Sequence, residues 1–154
     1  MSIRAFKRDD LPAIFRIYDS SKLDELKFED TLFTLLPLEN DKVRLNGLLE
    51  SDIYVYEDLN CIVGYAAVYG KEIRALFVSS ESRGKGVGKT LFVFSLSLIQ
   101  EQAYLYVVRS NKRAKQLYQE HGFNVIDTFE TTYNQEPVVA QKMVRTVLAP
   151  KQRG

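Results

Sequence analysis

Eight consecutive residues, Arg83-Gly84-Lys85-Gly86-Val87-Gly88-Lys89-Thr90, constrain this chain more than any other stretch. Three glycines and three cations share one short run. It follows a β-like segment, Glu72-Ile73-Arg74-Ala75-Leu76-Phe77-Val78, and leads into apolar Leu91-Phe92-Val93-Phe94-Ser95-Leu96. A strand, a glycine-rich turn and a helix in that order build an anion cradle. Glycines let backbone N–H groups converge on a phosphate, and the helix N-terminus adds partial positive charge. A Walker A loop would need glycine where Arg83 stands, and a dinucleotide fingerprint begun at Gly84 would need one where Lys89 stands. The pattern that fits is Arg-x-x-Gly-x-Gly, on Arg83, Gly86 and Gly88. Taken alone, so short a run also reads as a turn with solvated lysines.

Composition narrows the partners. The 154 residues suit one domain, expected over 1–147, with a short basic tail over 148–154. Lys+Arg number 21 against 20 Asp+Glu, so no global field points to nucleic acid or an anionic membrane. Cys61 and His121 are single examples of their kind, which argues against a disulfide framework and a His/Cys metal site. No signal-peptide pattern precedes Ser2-Ile3-Arg4-Ala5-Phe6, and no apolar run approaches the ~20 residues of a membrane span. A cytoplasmic setting is the simplest expectation.

Periodicity places the motifs. Ile3–Phe6 reads as a strand, then a helix capped by Asp9 or Asp10 with Leu11, Ile14, Phe15 and Tyr18 on one face. Another helix falls between Leu38 and Glu50. Strands follow at Asp52–Glu57 and Cys61–Tyr69, joined by an Asp58-Leu59-Asn60 turn. After the glycine loop come a helix from Val87 to about Glu101, a buried strand at Tyr104–Val108 and a helix at Asn111–Glu120 stopped by Gly122. Phe123–Thr131 and Val138–Thr146 form a last strand pair. The order predicts one mixed α/β domain.

A second motif now joins the first: Asn111-x-x-Ala114-x-x-Leu117-Tyr118, followed by Gly122-Phe123. With the Arg83 loop at this spacing and in this order of elements, the chain from Ile3 to about Thr146 resembles the GNAT superfamily of N-acetyltransferases, small bacterial members in particular. The resemblance implies an α/β (α+β) fold, a mostly antiparallel sheet of about seven strands with a V-shaped opening after the fourth. It implies acetyl-CoA as donor and an amine as acceptor, with no metal and a monomer or homodimer as the assembly.

Residue by residue, the pyrophosphate would rest on the N–H groups of Gly84, Lys85, Gly86, Val87, Gly88 and Lys89 up to Thr90, with Arg83 and the lysines adding charge. The pantetheine would run along the backbone of Phe77 and Val78, and the Val78 N–H would polarise the thioester carbonyl. Asn111 would bind pantetheine, cap its helix, or do both. Tyr118 would protonate the departing thiolate. Glu72 sits where some members carry a general base; it reads equally as a solvated strand start, and Arg74 on the same strand face could neutralise it.

Other candidates read as structural. Cys61 is expected in the core rather than as an acetylated nucleophile, which favours direct transfer over a ping-pong route. His121 would face a helix end, and Tyr104, Tyr106, Phe92 and Phe94 would be core. Lys112, Arg113 and Lys115 would be a solvated face, with contact of one of them to the adenosine 3′-phosphate as the alternative. Asp24, Glu25, Glu29 and Asp30 read as solvated surface, with an acidic rim for a cationic acceptor as the alternative. Two other functions compete: a catalytically silent CoA-binding sensor, and a nucleotide hydrolase using Gly88-Lys89-Thr90.

Overall fold

A computed structural model describes residues 2–146; the tail expected over 148–154 lies outside them. Seven strands form one sheet: β1 (Ser2–Ala5), β2 (Asp52–Asp58), β3 (Cys61–Tyr69), β4 (Glu72–Val78), β5 (Tyr104–Val108), β6 (Phe123–Tyr133) and β7 (Glu136–Arg145). The α-helices among the described residues are α1 (Leu11–Ser21), α2 (Lys42–Leu49), α3 (Val87–Ser97) and α4 (Lys112–Glu120), with short 3₁₀ segments before α1, between α1 and α2, and before α3. The spatial order is β1-β2-β3-β4-β5-β7-β6, antiparallel throughout except for β4 beside β5.

Alternation along the strands sends side chains to two cores. On one face Tyr65 and Ala67 of β3 pack with Val55 of β2 against Ile14, Ile17 and Tyr18 of α1. On the other, Ala66 meets Val87 and Leu91 of α3, and Val68 joins Phe92, Leu105, Phe123 and Met143. Gly64 lets α3 sit down on β3. A Cβ there would stand 3.0 Å from both Leu91 Cδ1 and the Phe77 carbonyl oxygen.

Hairpin turns at Leu59-Asn60 and Asn134-Gln135 carry positive φ at both positions, as the type I′ two-residue β-hairpin loop requires. Three expectations change. Asp10 does not cap α1; its carboxylate takes the Arg4 guanidinium through both oxygens and the Lys7 N–H at 2.7 Å. Arg4 holds that carboxyl below its usual range. Helix α3 ends at Ser97, before the expected Glu101, where Ser95 and Ser97 turn their hydroxyls onto the Leu91 and Phe94 carbonyls and the last bonds tighten to i→i−3. Cys61 is exposed, because the hairpin turn puts it at the tip of β3, outside the core.

Candidate active site

Strands β4 and β5 touch at one end and part at the other. Among the described residues their register holds a single pair, Glu72 with Tyr104, beside a bond from the Tyr104 N–H to the Lys71 carbonyl at 3.0 Å. Beyond it β4 stays paired with β3 and β5 with β7. The divergence starts at a β-bulge: Val68 faces Ile73 and Ala67 faces Ala75, so Arg74 is the extra residue of β4. A bulge bends its strand and increases its twist.

The bulge also reverses the phase of the strand. Strict alternation would put Glu72, Arg74, Leu76 and Val78 on one face. Instead Ile73 and Leu76 belong to the α3/α4 core while Ala75 and Phe77 belong to the α1 core. Glu72 and Arg74 therefore turn to the α2 side. There Arg74 Nε donates to Glu72 Oε1 at 3.0 Å, and its Nη1 donates to the Gly47 carbonyl at 2.9 Å and to Glu50.

The same register decides which backbone groups of β4 are free. The Ser79 N–H donates to the Val63 carbonyl at 2.8 Å, so by the two-residue period of an antiparallel ladder Phe77 exchanges its bonds with Tyr65. Leu76 and Val78 then point their N–H groups toward the opening. The Phe77 backbone, expected to face the opening, is taken up by β3, and the free edge is formed by Leu76 and Val78. The Phe77 ring instead packs on Tyr65 and Tyr18, with centroids 5.6 and 5.1 Å away. The Val78 carbonyl accepts the Ser21 hydroxyl at 3.0 Å, which pins the end of α1 to the opening.

Beyond Val78, one 3₁₀ turn over Ser80–Ser82 delivers the chain to the glycine loop. Gly84 and Gly86 take φ of 77° and 81°, left-handed values that cost other residues energy, and Gly86 is the residue from which α3 starts. The first helical bond runs from the Thr90 N–H to the Gly86 carbonyl at 3.0 Å, and the Thr90 hydroxyl donates to the same oxygen at 2.8 Å. The N–H groups of Val87, Gly88 and Lys89 precede that bond and face outward from the helix end. Both donors of Thr90, expected in the anion set, are thus directed at the helix. A Cβ on Gly88 would lie 3.4 Å from Val78 Cγ2, so loop and opening are contiguous.

On the opposite wall, Asn111 caps α4: its Oδ1 accepts the Ala114 N–H at 3.5 Å, which leaves its amide N–H groups for the opening. Tyr118 packs against Phe92 and Phe123, with centroids 5.2 and 6.2 Å away, and burial raises its phenol well above the ordinary range. His121 stands at the end of α4, where its Nδ1 donates to the Leu117 carbonyl at 2.9 Å. Phe92 is in the core, but Tyr106 is 49% exposed, against expectation, because it points from β5 away from α4.

One continuous cavity of about 1380 Å³ joins these parts. Of the expected site residues, Glu72, Phe77, Val78, Arg83, Gly84, Gly86, Val87, Gly88, Lys89, Asn111 and Tyr118 line it; Lys85 and Thr90 do not. Cys61 is not among its lining residues. Two acidic residues expected as solvated surface are engaged there: Asp24 pairs with Arg83, and Glu25 Oε1 takes Lys22 Nζ at 3.1 Å. Lys22 and Tyr133, not singled out from the sequence, also line the cavity, as does Tyr18, read there only as part of an apolar helix face. The signal was weak, since only the fold brings residues 18–25 opposite 133.

The comparisons agree with this geometry. A family model described as an acetyltransferase (GNAT) domain matches residues 41–147. The fold is similar to that of the ribosomal-protein-alanine N-acetyltransferase from Brucella melitensis, with TM-score 0.70 and 21% identity over 96% of this chain and 100% of that one. It is also similar to the ribosomal-protein-S18-alanine N-acetyltransferase from Escherichia coli, with TM-score 0.71 and 17% identity over 99% and 98%. A GNAT superfamily phosphinothricin acetyltransferase from Sinorhizobium meliloti, solved in complex with acetyl-CoA, gives TM-score 0.67 and 20% identity over 94% and 86%. No curated protein matches closely enough in sequence to count as a relative. The chain belongs to the GNAT acetyltransferase family.

Proposed function

We propose that this protein transfers the acetyl group of acetyl-CoA directly to a primary amine of a small molecule or peptide. The observation that carries this reading is the contiguity of two sites: an anion cradle at the start of α3 and a strand opening whose free edge begins at Leu76 and Val78. The N–H groups of Val87, Gly88 and Lys89 bind the pyrophosphate. Leu76 holds the pantetheine arm along the free edge of β4, and Asn111 donates to it from the far wall. The Val78 N–H stabilises the oxyanion as the amine attacks.

An alkylammonium has a pKa around 10.4, so a group must take its proton before attack. Glu72 is that group: Arg74 occupies Oε1, and Oε2 is left to receive a proton through water. Tyr118 supplies a proton to the departing thiolate. Its raised phenol keeps that proton at neutral pH, and the burial that raises it also makes the thiolate more basic. Cys61, exposed at a hairpin tip, takes no part, which supports direct transfer.

The silent CoA-binding sensor retains one supporting observation, the engagement of Glu72 by Arg74. Release of CoA thiol from acetyl-CoA across a panel of polyamines, aminoglycosides, amino acids and N-terminal peptides separates the two. Turnover on any amine supports the enzyme; tight acetyl-CoA binding without turnover supports the sensor.

A further inference from the structure

Beside the end of α1 the cavity holds a buried polar group without a protein partner among the described residues. Tyr18 is 3% exposed, and its hydroxyl has no hydrogen bond, although the residue lines the cavity. One turn further on, Lys22 has a side chain only 7% exposed, and its Nζ lies 5.9 Å from the Tyr18 ring centroid and 5.1 Å from that of Tyr133. Burying a charge costs free energy unless it is paired, and burying a hydroxyl costs it unless it is bonded.

The charged groups around this corner pair off. Lys22 Nζ reaches Glu25 Oε1 at 3.1 Å, and Arg44 Nε reaches Asp41 Oδ2 at 3.3 Å while its guanidinium lies 5.5 Å from the Tyr133 centroid. An ammonium has three N–H donors, and Lys22 directs one at Glu25. What stays unmet is the Tyr18 O–H and the other Lys22 N–H groups, all donors. Their complement is a hydrogen-bond acceptor, and beside a buried ammonium an anionic one is favoured. Burial already lowers the Lys22 ammonium, and a ligand anion would restore the charged form.

This corner is also close to the chemistry. Ser21, between Tyr18 and Lys22 in the chain, is hydrogen-bonded to the Val78 carbonyl, and Tyr18 packs on Phe77. We infer that Tyr18 and Lys22 anchor a carboxylate carried next to the acceptor amine, so that the acceptor is a free amino acid rather than a peptide N-terminus. The inference rests on the acetyltransferase reading above.

The test uses free amino acids and their matching carboxamides as acceptors, with CoA thiol release followed in the parent, Lys22→Met and Tyr18→Phe. The parent should favour the acid over the amide of its best substrate by about tenfold or more in kcat/KM, the scale of one charge-assisted hydrogen bond. Lys22→Met should bring that ratio close to unity with acetyl-CoA affinity unchanged by calorimetry. Tyr18→Phe should narrow the ratio while raising the melting temperature by about 2–4 °C, since it deletes an unbonded buried hydroxyl. A purely structural tyrosine would not separate these two readouts in that way. Equal or better turnover of amides or peptide N-termini by the parent overturns the inference, as does a preference that survives in Lys22→Met. Failure of the preference leaves the acetyltransferase reading standing, whereas absence of turnover on every amine overturns both.

Discussion

Arg74 holds Glu72, Nε to Oε1 at 3.0 Å, across the bulge at which β4 begins to leave β5. One irregularity therefore lies where the slot opens and turns the carboxylate toward α2. Glu72→Gln keeps the shape and removes the basic oxygen. It should lower kcat by about 10²-fold, the low end of general-base contributions, with the KM for acetyl-CoA unchanged. A rate within a factor of two of the parent would assign the amine's proton to solvent.

Tyr118 stands on the opposite wall, packed on Phe92 and Phe123. Tyr118→Phe should lower kcat by about 10²–10⁴-fold and leave the acetyl-CoA dissociation constant nearly unchanged. Because burial raises the phenol, its proton is retained as pH rises, so loss of this acid should cause no fall in rate up to about pH 10. Steady-state kinetics from pH 6 to about 10 checks both points; an alkaline fall near neutral pH that Tyr118→Phe abolishes would contradict the second.

At Gly86 the backbone is left-handed, and a Cβ would meet nothing within 4 Å, so a side chain there projects into the open cradle. Gly86→Glu should abolish acetyl-CoA binding, since a carboxylate would occupy the place of the pyrophosphate. Gly86→Asn, uncharged and tolerant of positive φ, should fold and keep measurable affinity. Calorimetry on the two folded variants separates charge from backbone strain, and unchanged affinity in Gly86→Glu would refute the cradle.

Asp24 occupies Arg83, the cation that leads into the glycine loop, through a partly exposed ion pair. Binding of a pyrophosphate has to compete with that carboxylate. Asp24→Asn should tighten acetyl-CoA binding by about 1.4–5-fold, which corresponds to the 0.2–1 kcal/mol typical of exposed pairs. The gain should shrink as salt is raised. Weaker binding in Asp24→Asn would mean that the pair positions Arg83 instead of diverting it.

Much of this protein is legible in its sequence. The order of elements, the glycine loop with its helix, the Asn111 cap and the Gly122 stop all depend on local chemistry: periodicity, left-handed turns, and side chains that satisfy helix ends. Such signals lie within a few residues of each other, so the chain carries them in plain order. The acceptor corner was not readable, because Tyr18, Lys22 and Tyr133 meet only when α1 and β6 reach the same side of the sheet.

The sequence by itself determined the strand, loop and helix that make the anion cradle, and excluded the P-loop through Arg83. Tertiary structure alone decided the bulge at Arg74, the exchange of Leu76 for Phe77 as a backbone donor, and the capture of Arg83 by Asp24. The physical reason is register. Shifting one strand by a single residue inverts every side chain and every free N–H along it, and register is fixed by partners far away in the chain.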